Sequence, residues 1–67
     1  MKRKTTELEK QVFIYLNDLR ESGVTNMYGA TPYITTTFGL DRPEATTLLK
    51  LWMFNFNDEC KYDEVAE

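Results

Sequence analysis

The chain is poor in the side chains that carry enzyme chemistry. None of its 67 residues is histidine, and Cys60 is its single cysteine, so the usual acid–base and nucleophile pairs of catalysis cannot be assembled. Cys60 lies among acidic residues, which disfavour a reactive thiolate. The acidic residues after position 57 lack the spacing and the glycine of a calcium-binding loop. We therefore expect no enzyme activity, no cofactor and no metal site.

A second group of side chains has the spacing of a DNA-reading surface. The stretch 34–48 resembles a helix-turn-helix, in which a short helix, a tight turn and a capped second helix follow one another. Gly39 permits the left-handed turn, Leu40 buries the corner and Ala45 allows the two helices to approach closely. In such a motif the front of the second helix enters the major groove of duplex DNA. The candidate DNA contacts on this helix are Arg42, Thr46, Thr47 and Lys50.

Each of these candidates suits a contact that DNA offers. Arg42 can read guanine, and Lys50 can meet a phosphate. Thr46 or Thr47 can touch a thymine methyl group. Glu44 counts against the hypothesis, because a carboxylate beside a phosphate is repelled, unless it accepts a hydrogen bond from cytosine. A compact three-helix domain of any function needs the same turn, so a purely structural role for the motif is the alternative.

The same helix carries more apolar residues than one buried face requires. Leu51, Met53 and Phe54 lie outside its main stripe, and a helix that is apolar all round is buried on more than one side. Either the first helix encloses these residues together with Met27 and Tyr28, or they form a patch that binds a second copy of the chain or a partner protein. The candidate partner contacts are Ile14, Leu51 and Phe54.

Three helices must position these residues. The first is predicted over residues 6–22, because Thr6 and Glu9 form a capping box and Gly23 provides a left-handed stop after which Val24 can fold back. Its apolar stripe, at three- and four-residue spacing, consists of Leu8, Val12, Tyr15, Leu16 and Leu19.

The second helix is short. Thr31 is a suitable cap, and Pro32 suits the first helical position because its missing N–H is not needed there. The residues that share one face are Tyr33, Ile34, Thr37 and Phe38. The β-branched run 35–37 weakens the helix prediction. A strand over 33–38 is the alternative, although the chain offers it no obvious partner strand.

The third helix is predicted to run from Asp41 to about Phe56. Asp41 and Glu44 form a second capping box, and Pro43 lies in the first turn. The main apolar stripe of this helix consists of Ala45, Leu48, Leu49, Trp52 and Phe56.

Length and charge set further limits. A chain of 67 residues has room for one domain, and a domain this short buries only about 60% of the surface of its unfolded chain, so its stability is marginal. We expect a folded core over about 6–57, with a mobile basic stub at 1–4 and a mobile acidic tail at 58–67. The net charge of −3 argues against tight non-specific binding to nucleic acid, although the stub can serve as a DNA-binding arm. No apolar run suits a leader or a membrane span, so we expect a soluble protein of the cytoplasm.

Three segments of the chain carry a resemblance to a known group. The stretches 15–30 (YLNDLRESGVTNMYGA), 38–40 (FGL) and 48–53 (LLKLWM) resemble small proteins of unknown function that are encoded by tailed bacteriophages, including phages of cyanobacteria. The resemblance covers about residues 8–56. It implies a phage protein that acts in a bacterial cytoplasm, and it transfers no catalytic or binding residue.

The sequence therefore predicts an all-α protein with a single three-helix domain, in which the second and third helices form a helix-turn-helix-like arrangement. One candidate function is a DNA-binding or gene-regulatory module, which the turn motif favours. The other is a protein-interaction module that docks a phage or host protein, which the charge balance favours. Of the two, we expect the DNA-binding module by a small margin. A homodimer is compatible with either, and a membrane is not an expected partner.

Overall fold

The computed structural model describes residues 2–23, 29–56, 59 and 61–66. These residues form three α-helices, α1 (Glu7–Ser22), α2 (Thr31–Phe38) and α3 (Arg42–Asn55), and two short β-strands, β1 (Lys2–Lys4) and β2 (Glu64–Ala66). The prediction of a three-helix domain is confirmed, but the chain is not purely all-α, because its two ends pair as an antiparallel sheet. Within the described ranges, no helix combines the length and the apolarity that crossing a bilayer requires.

Local capping interactions define α1 as the sequence predicts. The backbone N–H of Glu9 donates to Thr6 Oγ1 at 3.2 Å, and the N–H of Thr6 donates to Glu9 Oε1 at 2.9 Å, which is the reciprocal pattern of a capping box. At the other end, Gly23 has a φ of 68° and its N–H donates to Arg20 O. A Cβ at Gly23 would meet no atom within 4 Å, so the left-handed backbone, rather than a lack of space, favours glycine here.

The second element is a helix and not a strand, but its predicted cap is wrong. Ala30 is the N-cap, already has αR backbone angles and makes no side-chain cap bond, so Thr31 becomes the first helical residue and Pro32 the second. Within the β-branched run, Thr35 Oγ1 donates to Pro32 O at 2.8 Å, which satisfies its hydroxyl within the helix. Gly39 ends α2 with a φ of 67°.

The third helix begins and ends close to the predicted positions. Asp41 accepts a hydrogen bond from the N–H of Glu44 at 3.2 Å, and the last helical residue is Asn55, with Phe56 as the C-cap. One face of α3 is buried as predicted, and its buried members are Ala45, Leu48, Leu49 and Trp52.

The buried face of α1 is rotated relative to the predicted stripe. Leu8 is exposed, whereas Phe13, which the stripe omitted, is fully buried. The ring of Phe13 lies 5.2 Å from the ring of Tyr62, so the C-terminal segment covers a side of α1 that two other helices alone would leave open. The expected core contributions of Val24, Met27 and Tyr28 lie outside the described residues.

The two short strands come from the segments that the sequence analysis treats as a basic stub and an acidic tail. Lys2, Arg3 and Lys4 pair in register with Ala66, Val65 and Glu64, and the N–H of Thr5 donates to Asp63 O at 3.0 Å. Tyr62 and Val65 are both buried. Parts of the predicted stub and tail thus pair with each other, and Tyr62 and Val65 of the tail pack into the core.

A buried polar triad joins the C-terminal segment to α1 and α3. The hydroxyl of Tyr62 donates to Asn17 Oδ1, and the indole Nε1–H of Trp52 donates to Asn17 Oδ1 at 2.8 Å and to the Tyr62 hydroxyl at 3.1 Å. Each of the three side chains is almost fully enclosed. Buried polar groups of this kind are costly when they lose a partner, so the triad specifies where residue 62 must lie.

Tyr62→Phe should lower the free energy of unfolding by about 1–2 kcal/mol, because the variant removes one buried donor and leaves Asn17 with a single partner in the triad. Urea unfolding followed by circular dichroism measures this loss. Tyr33→Phe is the matched control, since Tyr33 is exposed on α2 and should change stability by less than about 0.5 kcal/mol. Equal effects of the two substitutions would contradict the structural role of the triad.

Candidate functional site

The outward face of α3 combines polar and apolar side chains on successive turns. Thr47, Lys50, Leu51 and Phe54 recur at three- and four-residue spacing, so they share the side of the helix opposite its buried face. The two sets of candidate contacts therefore overlap in space. Thr47 and Lys50 come from the DNA set, and Leu51 and Phe54 come from the partner set.

This face forms one wall of an open groove with a volume of about 450 Å³, which we call the α3 groove. The sheet and the first turns of α1 form the opposite wall. The residues that line the groove are Arg3, Glu9, Thr47, Leu48, Lys50, Leu51, Phe54 and Ala66. Most of the lining contributed by α3 is apolar, which is typical of sites that take ligand or partner side chains.

Asn55 holds the strand side of the groove in place. Its Nδ2 donates to Ala66 O at 3.0 Å, and the N–H of Ala66 donates to its Oδ1 at 2.7 Å. The amide of Asn55 thus pairs with β2 as a neighbouring strand would, and it occupies both backbone groups of Ala66 on the side that faces α3. Asn55 Nδ2 also donates to Leu51 O at 2.9 Å, which ties this contact to the α3 backbone.

An ion pair joins β1 to α1 on the same side of the groove. Arg3 Nη1 donates to Glu9 Oε1 at 2.8 Å, and Nη2 donates to Glu9 Oε2, which makes a bidentate pair. The hydrogen bonds from Arg3, together with those from the backbone and hydroxyl of Thr6, lower the pKa of Glu9 to about 2, although partial burial opposes this shift. The two charges of this pair largely cancel inside the groove.

The apolar residues of α3 that lie outside its main stripe, Leu51, Met53 and Phe54, are only partly covered by the described residues. Leu51 is half-buried against the core, whereas the side chain of Phe54 is 73% exposed and Met53 is also exposed. Phe54 is the most exposed of the large apolar residues that the structure describes. A large exposed ring beside an apolar groove is the kind of feature that marks an interaction site.

The predicted DNA-contact residues do not form one group. Thr47 and Lys50 line the α3 groove, but Arg42 lies at a separate, smaller pocket of about 160 Å³ beside the first turn of α2, together with Thr31, Pro32 and Thr35. Thr46 is half-buried. The hydroxyl of Thr47 donates to Pro43 O at 2.9 Å, so it already has a partner within the helix.

Ile14 is the partner candidate that the structure separates from the others. It is 47% exposed on α1, but it does not line the α3 groove. The groove instead includes Glu9 and Ala66, which sequence reasoning missed as site residues, and Arg3, which it named only as part of a DNA-binding arm. The opposite charges of the two chain ends were the only sequence signal that could have brought these residues together.

Neither family models nor curated proteins nor solved structures show a match to this chain. The described residues contain no group of three or more side chains that could hold a metal ion. Cys60 and Asp58 lie outside them. The candidate site is therefore defined by the geometry of the α3 groove alone.

Acid should weaken the ion pair between Arg3 and Glu9. Because the pKa of Glu9 is about 2 when folded, against a usual value of 4.5, the pair adds stability above pH 4.5, and this contribution disappears as the pH falls from about 4.5 to 2. Since Arg3 is more than a third exposed, solvent screening limits the contribution to about 1 kcal/mol.

Unfolding free energies measured from pH 7 to pH 2.5 should fall less steeply in Glu9→Gln than in the unaltered chain. An unchanged slope in Glu9→Gln would refute the assignment.

Proposed function

We propose that the chain is a protein-interaction module that docks a phage or host protein through the α3 groove. The exposure of Phe54 beside Leu51 and the groove carries this proposal. Burying a phenylalanine side chain in an interface contributes about 1.5–3 kcal/mol. Aromatic and aliphatic side chains at the centre of a patch often dominate the affinity of a complex.

The charges around the groove support a protein partner over nucleic acid. Arg3 is paired with Glu9, so Lys50 is the lining cation that makes no ion pair with the described residues. The front of α3 carries the exposed carboxylates of Asp41 and Glu44. Phosphate contacts supply most of the affinity of proteins for nucleic acid, and this surface offers few cations for them.

Phe54→Ala should weaken binding to the partner at least tenfold and leave the fold intact. The ring contributes little to folding because it is largely exposed, whereas its loss from an interface removes a central contact. The partner is first identified by cross-linking through a photoreactive residue at position 54 in infected cells. Its affinity is then measured by calorimetry with purified proteins, and unfolding of the variant is measured in parallel.

Ile14→Ala is the matched control, because Ile14 is an exposed apolar residue outside the groove. It should leave the affinity unchanged. Equal affinities of Phe54→Ala and the unaltered chain would refute docking through the groove. A complex that dissociates steeply as salt is added would point to charge contacts in place of apolar ones.

A second candidate function is a helix-turn-helix-like DNA-binding or gene-regulatory module. The turn between α2 and α3 favours it, because Gly39 has a left-handed backbone, Asp41 caps α3 and Ala45 is buried where the helices approach. Arg42, Thr47 and Lys50 are exposed on α3 and remain the residues that would contact bases and phosphates, with the half-buried Thr46 beside them.

If this second function is correct, mixed duplex DNA at low salt should shift the amide resonances of residues 42–50, and the shifts should fade as salt rises. Arg42→Ala and Lys50→Ala should each weaken the interaction. A proton–nitrogen NMR titration makes the measurement, with Lys10→Ala on α1 as a cation control. Spectra that DNA leaves unchanged would exclude non-specific binding.

A further inference from the structure

We propose that the partner segment in the α3 groove is an amphipathic helix whose apolar face is flanked by carboxylates. This inference rests on the proposed function and specifies the chemistry of the docked partner. Three features of the groove carry it: the spacing of its apolar residues, the hydrogen bonds already made by the neighbouring strand edge and the sign of its one unpaired charge among the described residues.

The apolar residues of the groove match the anchor spacing of a helix. Leu48, Leu51 and Phe54 lie one turn apart along α3. A docked helix presents side chains at i, i+3, i+4 and i+7, which repeat with nearly the same rise. Two such rows can therefore interdigitate along the groove, as the side chains of packed helices do.

The strand edge that borders the groove disfavours an extended partner. A peptide that adds to a sheet needs free backbone N–H and C=O groups on the edge strand. Both of these groups of Ala66 are already bonded to the side chain of Asn55. A helix satisfies its own backbone hydrogen bonds and needs none from β2.

The one unpaired charge among the described groove residues is positive. Lys50 is exposed and makes no ion pair there, while Arg3 and Glu9 neutralise each other. On the neighbouring strand pair, Lys4 lies opposite Glu64 in the register. A carboxylate that flanks the apolar anchors of a partner would thus meet Lys50, and complementary charge sets orientation and partner choice.

The same charges disfavour a second copy of the chain as the occupant. In a two-fold dimer both subunits present the same patch, so grooves placed face to face would bring Lys50 towards its own symmetry mate. Single-stranded nucleic acid needs a positive track along its backbone as well as an aromatic platform. Phe54 supplies a platform, but Lys50 is the one unpaired cation among the described groove residues and makes no such track.

Three synthetic helical peptides of equal length test the inference. The first has leucines at i, i+3, i+4 and i+7 flanked by glutamates, the second replaces the glutamates by lysines, and the third replaces the leucines of the first by serines. Each is titrated into the labelled full chain, with affinities from fluorescence anisotropy and contacts from NMR. We expect the glutamate–leucine peptide to bind about tenfold more tightly than the lysine–leucine peptide at low salt, with shifts at residues 47–54, and the serine peptide not to bind.

Two charge-reversal variants make a matched pair. Lys50→Glu should abolish or reverse the preference for the glutamate peptide. Arg42→Glu makes the same change of charge on the exposed surface of α3 but outside the groove, and it should retain the preference. Phe54→Ala should weaken binding of both leucine peptides.

The outcomes separate this inference from the function on which it rests. Equal binding of the two leucine peptides, lost in Phe54→Ala, would overturn the charge preference and leave apolar docking in place. No binding of either leucine peptide at millimolar concentration, or equal binding of the serine peptide, would overturn the inference. Shifts of residues 47–54 caused by an oligothymidine strand and by none of the peptides would overturn the proposed function as well.

Discussion

The arrangement of this small protein depends on one buried polar triad. Asn17 lies on α1, Trp52 on α3 and Tyr62 in the C-terminal segment, and their side chains satisfy one another in the interior. An apolar cluster tolerates sliding, but a buried amide, indole and phenol each lose stability if a partner moves away. The triad therefore fixes the position of residue 62. That position places β2 beside α3 and determines where β1 can pair, so the ion pair of Arg3 with α1 is its consequence.

The α3 groove is a consequence of the same construction. A chain of 67 residues cannot cover every side of three helices. The C-terminal segment packs over Phe13 and Trp52, and the remaining apolar side of α3 faces the edge of the sheet across an open space. Asn55 keeps this space from closing further, because its side chain already joins α3 to Ala66. The groove is thus bounded by fixed contacts on both sides and does not require a ligand to form.

The helices could be predicted from the sequence because their signals are local. The Thr6–Glu9 box, the Asp41 cap and the stops at Gly23 and Gly39 involve neighbouring residues, and all four are present. The sheet could not be predicted in the same way. Lys2–Lys4 has none of the β-branched or aromatic residues that favour strands, and its pairing joins residues from opposite ends of the chain.

The error in the buried face of α1 has the same origin. A stripe chosen for contact with two helices included Leu8 and omitted Phe13, because the segment that covers Phe13 was expected to be mobile. The groove residues Lys50, Leu51 and Phe54 could be named from the sequence. The opposite wall of the groove, which Arg3, Glu9 and Ala66 form, could not be predicted in this way.

The groove also explains why two different functions fit the same helix. The polar candidates Thr47 and Lys50 and the apolar candidates Leu51 and Phe54 lie on one face, so a partner helix and a DNA groove would compete for the same surface. The two functions differ in the free energy gained when the ring of Phe54 is removed from water. Contact with a wet phosphate backbone leaves the ring of Phe54 without an apolar partner, whereas a partner helix buries it and can pair Lys50 at the same time. Because Phe54 contributes little to the folded core, this surface can be specific for a partner without a loss of stability.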